Sequence, residues 1–151
     1  MSWTGSQPLR YQRGFTLIEL MVTVTLIAAL LGLGVPSFRQ FMDTQRVKSA
    51  AFDVAAALLM TRSEAIKRNK SITLAPVGGA WENGWTVKDG ATTLLKQDAV
   101  GVTIEGPLPS LEFNAVGRVA ATTTFELTGS TAVRCVTIDL TGIPSTRSAA
   151  C

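Results

Sequence analysis

Histidine is absent from this chain of 151 residues, and that absence removes a large class of chemistry. Neither a Ser-His-Asp nor a Cys-His constellation can be built. Cysteine is scarce: Cys135 and Cys151 are the two present, and two thiolates without an imidazole are too few for a structural zinc. The pair Gly78-Gly79 lacks the Lys-Ser/Thr of a phosphate loop and has no strand-to-helix setting. The carboxylates Glu82, Glu105, Glu112 and Glu126 stand isolated, with no spacing that suggests an acid/base pair. Internal repeats and low-complexity linkers are missing too. No cofactor, no metal and no catalytic activity are expected.

What the chain does have is a long apolar run. From Phe15 to Val35 there are 21 residues, and the one charged residue among them is Glu19. A stretch of that length can cross a bilayer as a helix. A carboxylate inside it costs a few kcal/mol unless it finds a partner, so Glu19 needs a reason to be there. An ordinary secretory signal has an apolar core of roughly 7–15 residues and a small-residue cleavage site beyond it. This run is longer, and its far end, Gly34-Val35-Pro36-Ser37, offers no such site. A plain single-pass anchor accounts for the length and for Arg10 and Arg13 on the cytoplasmic side, but leaves Glu19 unexplained.

The junction Arg13-Gly14-Phe15-Thr16-Leu17-Ile18-Glu19 resembles the start of the type IV pilin-like family. Prepilins of that family carry a short basic leader ending in Gly, a Phe after the cut, and a Glu five residues into the mature chain. The resemblance implies a leader over residues 1–14, cleavage between Gly14 and Phe15 by the membrane-bound prepilin peptidase, and methylation of the new Phe15 amino group. Gly14 has no side chain to obstruct the cut. The freed ammonium lies one helical turn from Glu19 and can pair with it, within a subunit or between neighbours. The resemblance therefore makes Glu19 an assembly residue that sets register.

Residues 15–36 then form the transmembrane and assembly helix, and residues 37–151 one small periplasmic domain. Gly32, Gly34 and Pro36 weaken the helical ladder, which predicts a kink or a partly melted stretch; members of the family often carry a Pro near Pro36. Helical character resumes from Ser37 to Asn69. Val47, Ala51, Val54 and Leu58 recur at helical spacing with Ala50, Ala55 and Ala65 beside them, a narrow face suited to a sheet. Glu64 precedes Lys67 and Arg68 in the favourable order for ion pairs, and Lys67, Arg68 and Lys70 complement the helix C-terminus. Short alternating runs follow: Ser71–Ala75, Gly84–Lys88, Thr93–Gln97, Val102–Ile104, Leu111–Phe113, Thr123–Leu127 and Val133–Asp139 read as strands. Turns fall at Gly78-Gly79, Asp89-Gly90, Gly106-Pro107 and Thr128-Gly129. Trp81 and Trp85 read as an aromatic pair across a hairpin, with a ligand platform as the alternative. The fold class is α+β, a long N-terminal helix packed on antiparallel sheet.

Later stretches narrow the resemblance to the GspH/FimT class of minor pilins and pseudopilins. They are Arg62-Ser63-Glu64-Ala65-Ile66-Lys67-Arg68; Phe113-Asn114-Ala115-Val116-Gly117-Arg118, read as a strand, a Gly turn and a return strand; Arg134-Cys135-Val136-Thr137-Ile138; and Thr141-Gly142. The basic leader implies insertion in the inner membrane with the domain outside the cytoplasm, where disulfides persist. A Cys135–Cys151 bridge is expected there, with free thiols as the alternative. The implied function is a minor type IV pilin, incorporated near the filament tip with other major and minor pilins as partners. A pseudopilin of a type II secretion machine is the first alternative.

A DNA-binding minor pilin for natural transformation is the second. DNA-binding members of the class carry Gly-Arg-x-Arg after the last long strand, whereas this chain has Gly142-Ile143-Pro144-Ser145. Arg118, Arg134 and Arg147 remain as possible contacts, but phosphate binding needs clustered cations. Removing Arg10 and Arg13 with the leader leaves 12 basic against 11 acidic residues, which weakens the DNA reading further.

Overall fold

The computed structural model describes residues 14–151; the expected leader residues 1–13, with Arg10 and Arg13, lie outside the described residues. One helix, α1 (Leu17–Arg68), is followed by eight strands. The helix starts at Thr16, whose hydroxyl accepts the Glu19 N–H at 3.3 Å. It stops at Asn69, which adopts a left-handed φ of 52°. There Lys70 N–H reaches Ala65 O at 3.1 Å and Asn69 N–H reaches Ile66 O at 3.2 Å. These two bonds are those of a Schellman stop with Asn in the place glycine usually takes.

The chain divides into two compact units, one ending at Ser37 and the other spanning Phe38–Cys151. In the first, every side chain described is exposed. Thr23 and Thr25 donate their hydroxyls to the carbonyls of Leu20 and Met21, so neither leaves an unsatisfied donor on an apolar surface. The helix runs through Gly32 and Pro36 without a break, so the expected melting does not occur. One proline removes a single ladder bond, which the surrounding turns tolerate in an apolar helix.

The second unit holds two four-stranded sheets in which every neighbouring pair is antiparallel. The strands are β1 (Ile72–Pro76), β2 (Gly84–Asp89), β3 (Thr92–Asp98), β4 (Thr103–Glu105), β5 (Leu111–Phe113), β6 (Thr123–Thr128), β7 (Val133–Ile138) and β8 (Pro144–Arg147). Their order is β3-β2-β1-β5 in one sheet and β4-β6-β7-β8 in the other. Val47, Ala50, Ala51, Val54, Leu58 and Ala65 of the helix are buried, in one cluster with Leu74, Val87, Phe113, Phe125, Leu127 and Val136 of the sheets. Small residues on the helix face let the backbone lie close to the strands. Among the described residues the one buried polar side chain, Thr61, donates its hydroxyl to Ala57 O at 2.6 Å.

Three expectations are corrected. Pro144–Arg147 forms an additional strand, β8. It carries no apolar alternation and buries none of its side chains fully, so no buried face of its own sets its register on β7. The stretch after Gly117 is not a strand: Arg118–Ala120 runs irregularly to β6. Trp81 and Trp85 do not pair across a hairpin. Trp81 sits in a short 3-10 turn, Trp81–Asn83, with its ring edge-on to Phe125 of the other sheet at 4.9 Å and its indole N–H on Pro107 O at 3.1 Å. Trp85 is buried in β2. The aromatic contact therefore joins the turn before β2 to the sheet that holds β6, which no local spacing encodes.

Candidate functional site

The junction Gly14–Glu19 opens the described chain. Gly14 has no atom near the position a Cβ would take, and Phe15 is 81% exposed. Thr16, which sequence reasoning missed, is the residue that organises this end. The signal for it is the spacing Thr16-x-x-Glu19, a capping-box pattern. Its oxygen takes up the Glu19 N–H and its carbonyl accepts the Leu20 N–H at 3.2 Å, so the first turn forms directly behind the expected cut. Glu19 is exposed and its carboxylate makes no ion pair among the described residues. A first-turn acid gains roughly 0.3–1 kcal/mol from the helix dipole, against about 3 kcal/mol for a charge at the centre of a bilayer. The dipole does not offset that cost. Pro36 is exposed, inside α1.

In the second unit the separated stretches singled out in the sequence meet at the C-terminal end of α1. Arg62 donates from Nε to Gly117 O at 3.1 Å. Asn114 Oδ1 accepts the N–H groups of Val116 and Arg118 at 3.1 and 2.9 Å, which shapes the turn that carries Gly117. Arg118 Nε donates to Leu140 O at 3.2 Å, and Asp139 Oδ1 accepts the Thr141 N–H at 2.9 Å. The Thr141 hydroxyl first, and then that backbone bond, hold the Asp139 carboxyl below the usual carboxylate range. Gly142, at φ 76°, comes so close that a Cβ there would lie 2.2 Å from Gly117 O. The helix end, the Asn114–Arg118 turn and the Asp139–Gly142 turn thus lock as one structural corner. Beside it Glu64 pairs with Arg68 at 2.6 Å and Lys67 at 3.6 Å, and Asp89 takes Arg68 at 3.3 Å and Lys70 at 3.9 Å. The basic cluster is engaged in closing the helix.

The three arginines considered for DNA are not brought onto one face. Arg118 is held by Leu140 O through its Nε. Arg147 stands opposite Cys135 in the β7–β8 register, on the face that carries the disulfide. Arg134 is the next residue along β7 and points to the opposite face. Cys135 and Cys151 form a disulfide, and the Cys151 N–H bonds Glu126 Oε2 at 2.7 Å, so the chain end folds back over β6 and β7.

A second anchor lies on α1 at Asp43, unmarked by any motif. Its Oδ1 accepts the Ser130 N–H at 3.1 Å, and its Oδ2 accepts the Thr131 N–H at 2.6 Å and hydroxyl at 2.9 Å. Those backbone bonds, Thr131 first and Ser130 second, lower its pKa from the ordinary 3.8 to about 2. Gly129 permits the approach, since a Cβ there would sit 2.6 Å from Asp43 Oδ1. The β6–β7 turn is thereby tied to the helix.

Residues 50–142 match the family model of the type II transport protein GspH, and residues 9–35 match the prokaryotic N-terminal methylation motif. No curated protein matches the chain significantly. The fold is similar to that of the type IV minor pilin FimU of Pseudomonas aeruginosa strain PAO1. In one crystal form of that protein the TM-score is 0.61 at 23% identity, over 71% of this chain and 92% of that one. In another the TM-score is 0.59 at 24% identity, over 66% and 91%. The minor pseudopilin EpsH from the type 2 secretion system of Vibrio cholerae has a TM-score of 0.55 at 15% identity, over 68% and 97%.

Proposed function

The chain belongs to the GspH family of type II transport proteins, and from that premise we propose that it is a minor type IV pilin, cut after Gly14 and carried into a filament by its apolar helix. The observation that supports this most directly is the state of the first unit. Its bulky side chains, from Phe15 through Leu31, are exposed all round the helix, while the domain beyond has closed its own core. Such a helix is stable only among lipid tails or other helices. Inner-membrane anchoring comes first, and packing among pilins replaces it.

Cleavage between Gly14 and Phe15 frees an α-amino group with an ordinary pKa of about 8, protonated at neutral pH and still cationic after methylation. Glu19 is one turn away, so the ammonium of one subunit and the carboxylate of a neighbour neutralise each other as the helices pack. A pair of this kind fixes register because a misaligned helix leaves two charges unpaired.

Mass spectrometry of the chain recovered from membranes tests the processing step. A mature species beginning at N-methylated Phe15 is expected in cells that have the prepilin peptidase, and the uncut chain in cells that lack it. A different N-terminus, or indifference to the peptidase, overturns the assignment. The family's own description as a transport protein favours one second reading, a pseudopilin. Recovery of the chain in pili sheared from the cell surface supports the pilus; a secretion defect with unaltered pili on its removal supports the pseudopilin.

A further inference from the structure

We propose that the helix surface Phe38–Arg46 seats the headgroup of an anionic phospholipid while the chain waits in the membrane, with Arg39 and Arg46 on its phosphate; this rests on the reading of Phe15–Val35 as the membrane span. Phe38 follows Val35 by three residues, so even a fully extended chain leaves it within about 10 Å of the apolar run. The headgroup layer on each side of a bilayer is about 5–8 Å deep. Chain connectivity alone therefore holds Phe38 in that layer or just outside it, with Arg39 the next residue.

The surface has the chemistry for it. Phe38 is 63% exposed, and Met42, one turn on, is exposed as well. Arg39 and Arg46, seven residues apart and so on one side of the helix, are exposed and join no ion pair among the described residues. Phe38, Arg39, Met42, Asp43, Arg46 and Ser130 line one shallow notch of about 380 Å³, a size that admits a phosphate with its glycerol. The carboxylate in it, Asp43, is turned to donors from Ser130 and Thr131, which offset its charge toward an incoming anion. Apolar groups beside guanidinium groups match the boundary of glycerol and phosphate. Lipid held here retains the subunit in the membrane until neighbouring helices replace it.

The test uses the full chain in vesicles of phosphatidylethanolamine and phosphatidylglycerol. A trace of phosphatidylglycerol carries a photoreactive group, either in the headgroup or halfway along an acyl chain, and cross-links are mapped by mass spectrometry. Acyl cross-links are expected in Phe15–Val35 and headgroup cross-links in Phe38–Arg46. With each surface cation contributing about fivefold in local occupancy, Arg39→Gln with Arg46→Gln should lower headgroup cross-linking by at least about tenfold. Acyl cross-linking should stay unchanged. The control pair Lys88→Gln with Lys96→Gln should match the unaltered chain. Headgroup labelling of Phe38–Arg46 no stronger than that of Phe52–Ile66, or equal loss in the control pair, overturns the headgroup site and leaves the span standing. Absence of acyl labelling in Phe15–Val35 overturns both.

Discussion

The two halves of α1 are both rich in apolar residues and meet opposite fates. From Leu17 to Leu31 the side chains are large (Leu, Ile, Met, Val) and every one is exposed. From Val47 to Ala65 the apolar face is mostly Ala and Val, and it is buried to 2% exposure or less, with Arg46, Lys48, Asp53 and Lys67 left outward. The difference lies in distribution. An apolar surface all round a helix cannot be covered by one small domain, so it must be covered by lipid or by other chains. A single narrow stripe can be covered by two sheets of the same chain, and here it is.

The sharpest way to break that comparison is Glu19→Ala. It removes the one charge of the first half and touches nothing in the second. Membrane insertion and domain folding should be retained while incorporation into filaments is largely lost, as read by immunoblot of sheared filaments against membranes. Normal incorporation sinks the register argument. Phe125→Ala should do the reverse. A fully buried aromatic shared with Trp81 is lost, at a cost of about 3–5 kcal/mol in denaturant unfolding followed by near-ultraviolet dichroism, with insertion untouched. Equal stability would mean that this aromatic contact is not what holds the second unit.

Cys135→Ser with Cys151→Ser comes next. The bridge closes a loop of sequence separation 16, which on the chain-entropy model contributes about 3 kcal/mol, and the loss should appear as a lower denaturant midpoint with β8 exchanging its amide hydrogens faster. Slow exchange in β8 of the double variant would show that its ladder suffices. The smallest effect belongs to Asp43→Asn. Because the folded pKa of Asp43 lies below its ordinary value, its contribution is complete above pH 3.8 and drains away as the pH falls toward about 2. The wild type should lose midpoint over that window, and the variant should begin lower and lose less. Parallel acid limbs would remove Asp43 from the account. Glu64 and Asp139 are also held low, by Arg68 and by Thr141, so part of the limb remains in either case.

Much of this was legible in the residues. Seven strands fall within one residue of their expected positions, because each is a short run rich in apolar and β-branched residues set between turn residues. The small helix face from Val47 to Leu58 was legible from its 3.6-residue recurrence. The end of α1 was legible from its cations, although the left-handed Asn69 that stops it was not. The strand β8 escaped because Pro144-Ser145-Thr146-Arg147 is a short polar run with no apolar alternation to read. At the junction, Gly14, Phe15 and Glu19 were marked by a motif, while Thr16 hid behind it, since its role lies in one local hydrogen bond.

By itself the sequence determined where the apolar run begins and ends, which charge sits inside it, and where helix gives way to strand. These follow from local spacing and from the cost of placing a charge among apolar groups. Only the tertiary structure decided that Trp81 meets Phe125, that Asp43 holds the β6–β7 turn, that Arg62 and Gly142 close on Gly117, and that Arg118, Arg134 and Arg147 part company. Each of those depends on residues far apart in the chain converging, and convergence is set by the packing of whole sheets and a helix, which no short window of residues encodes.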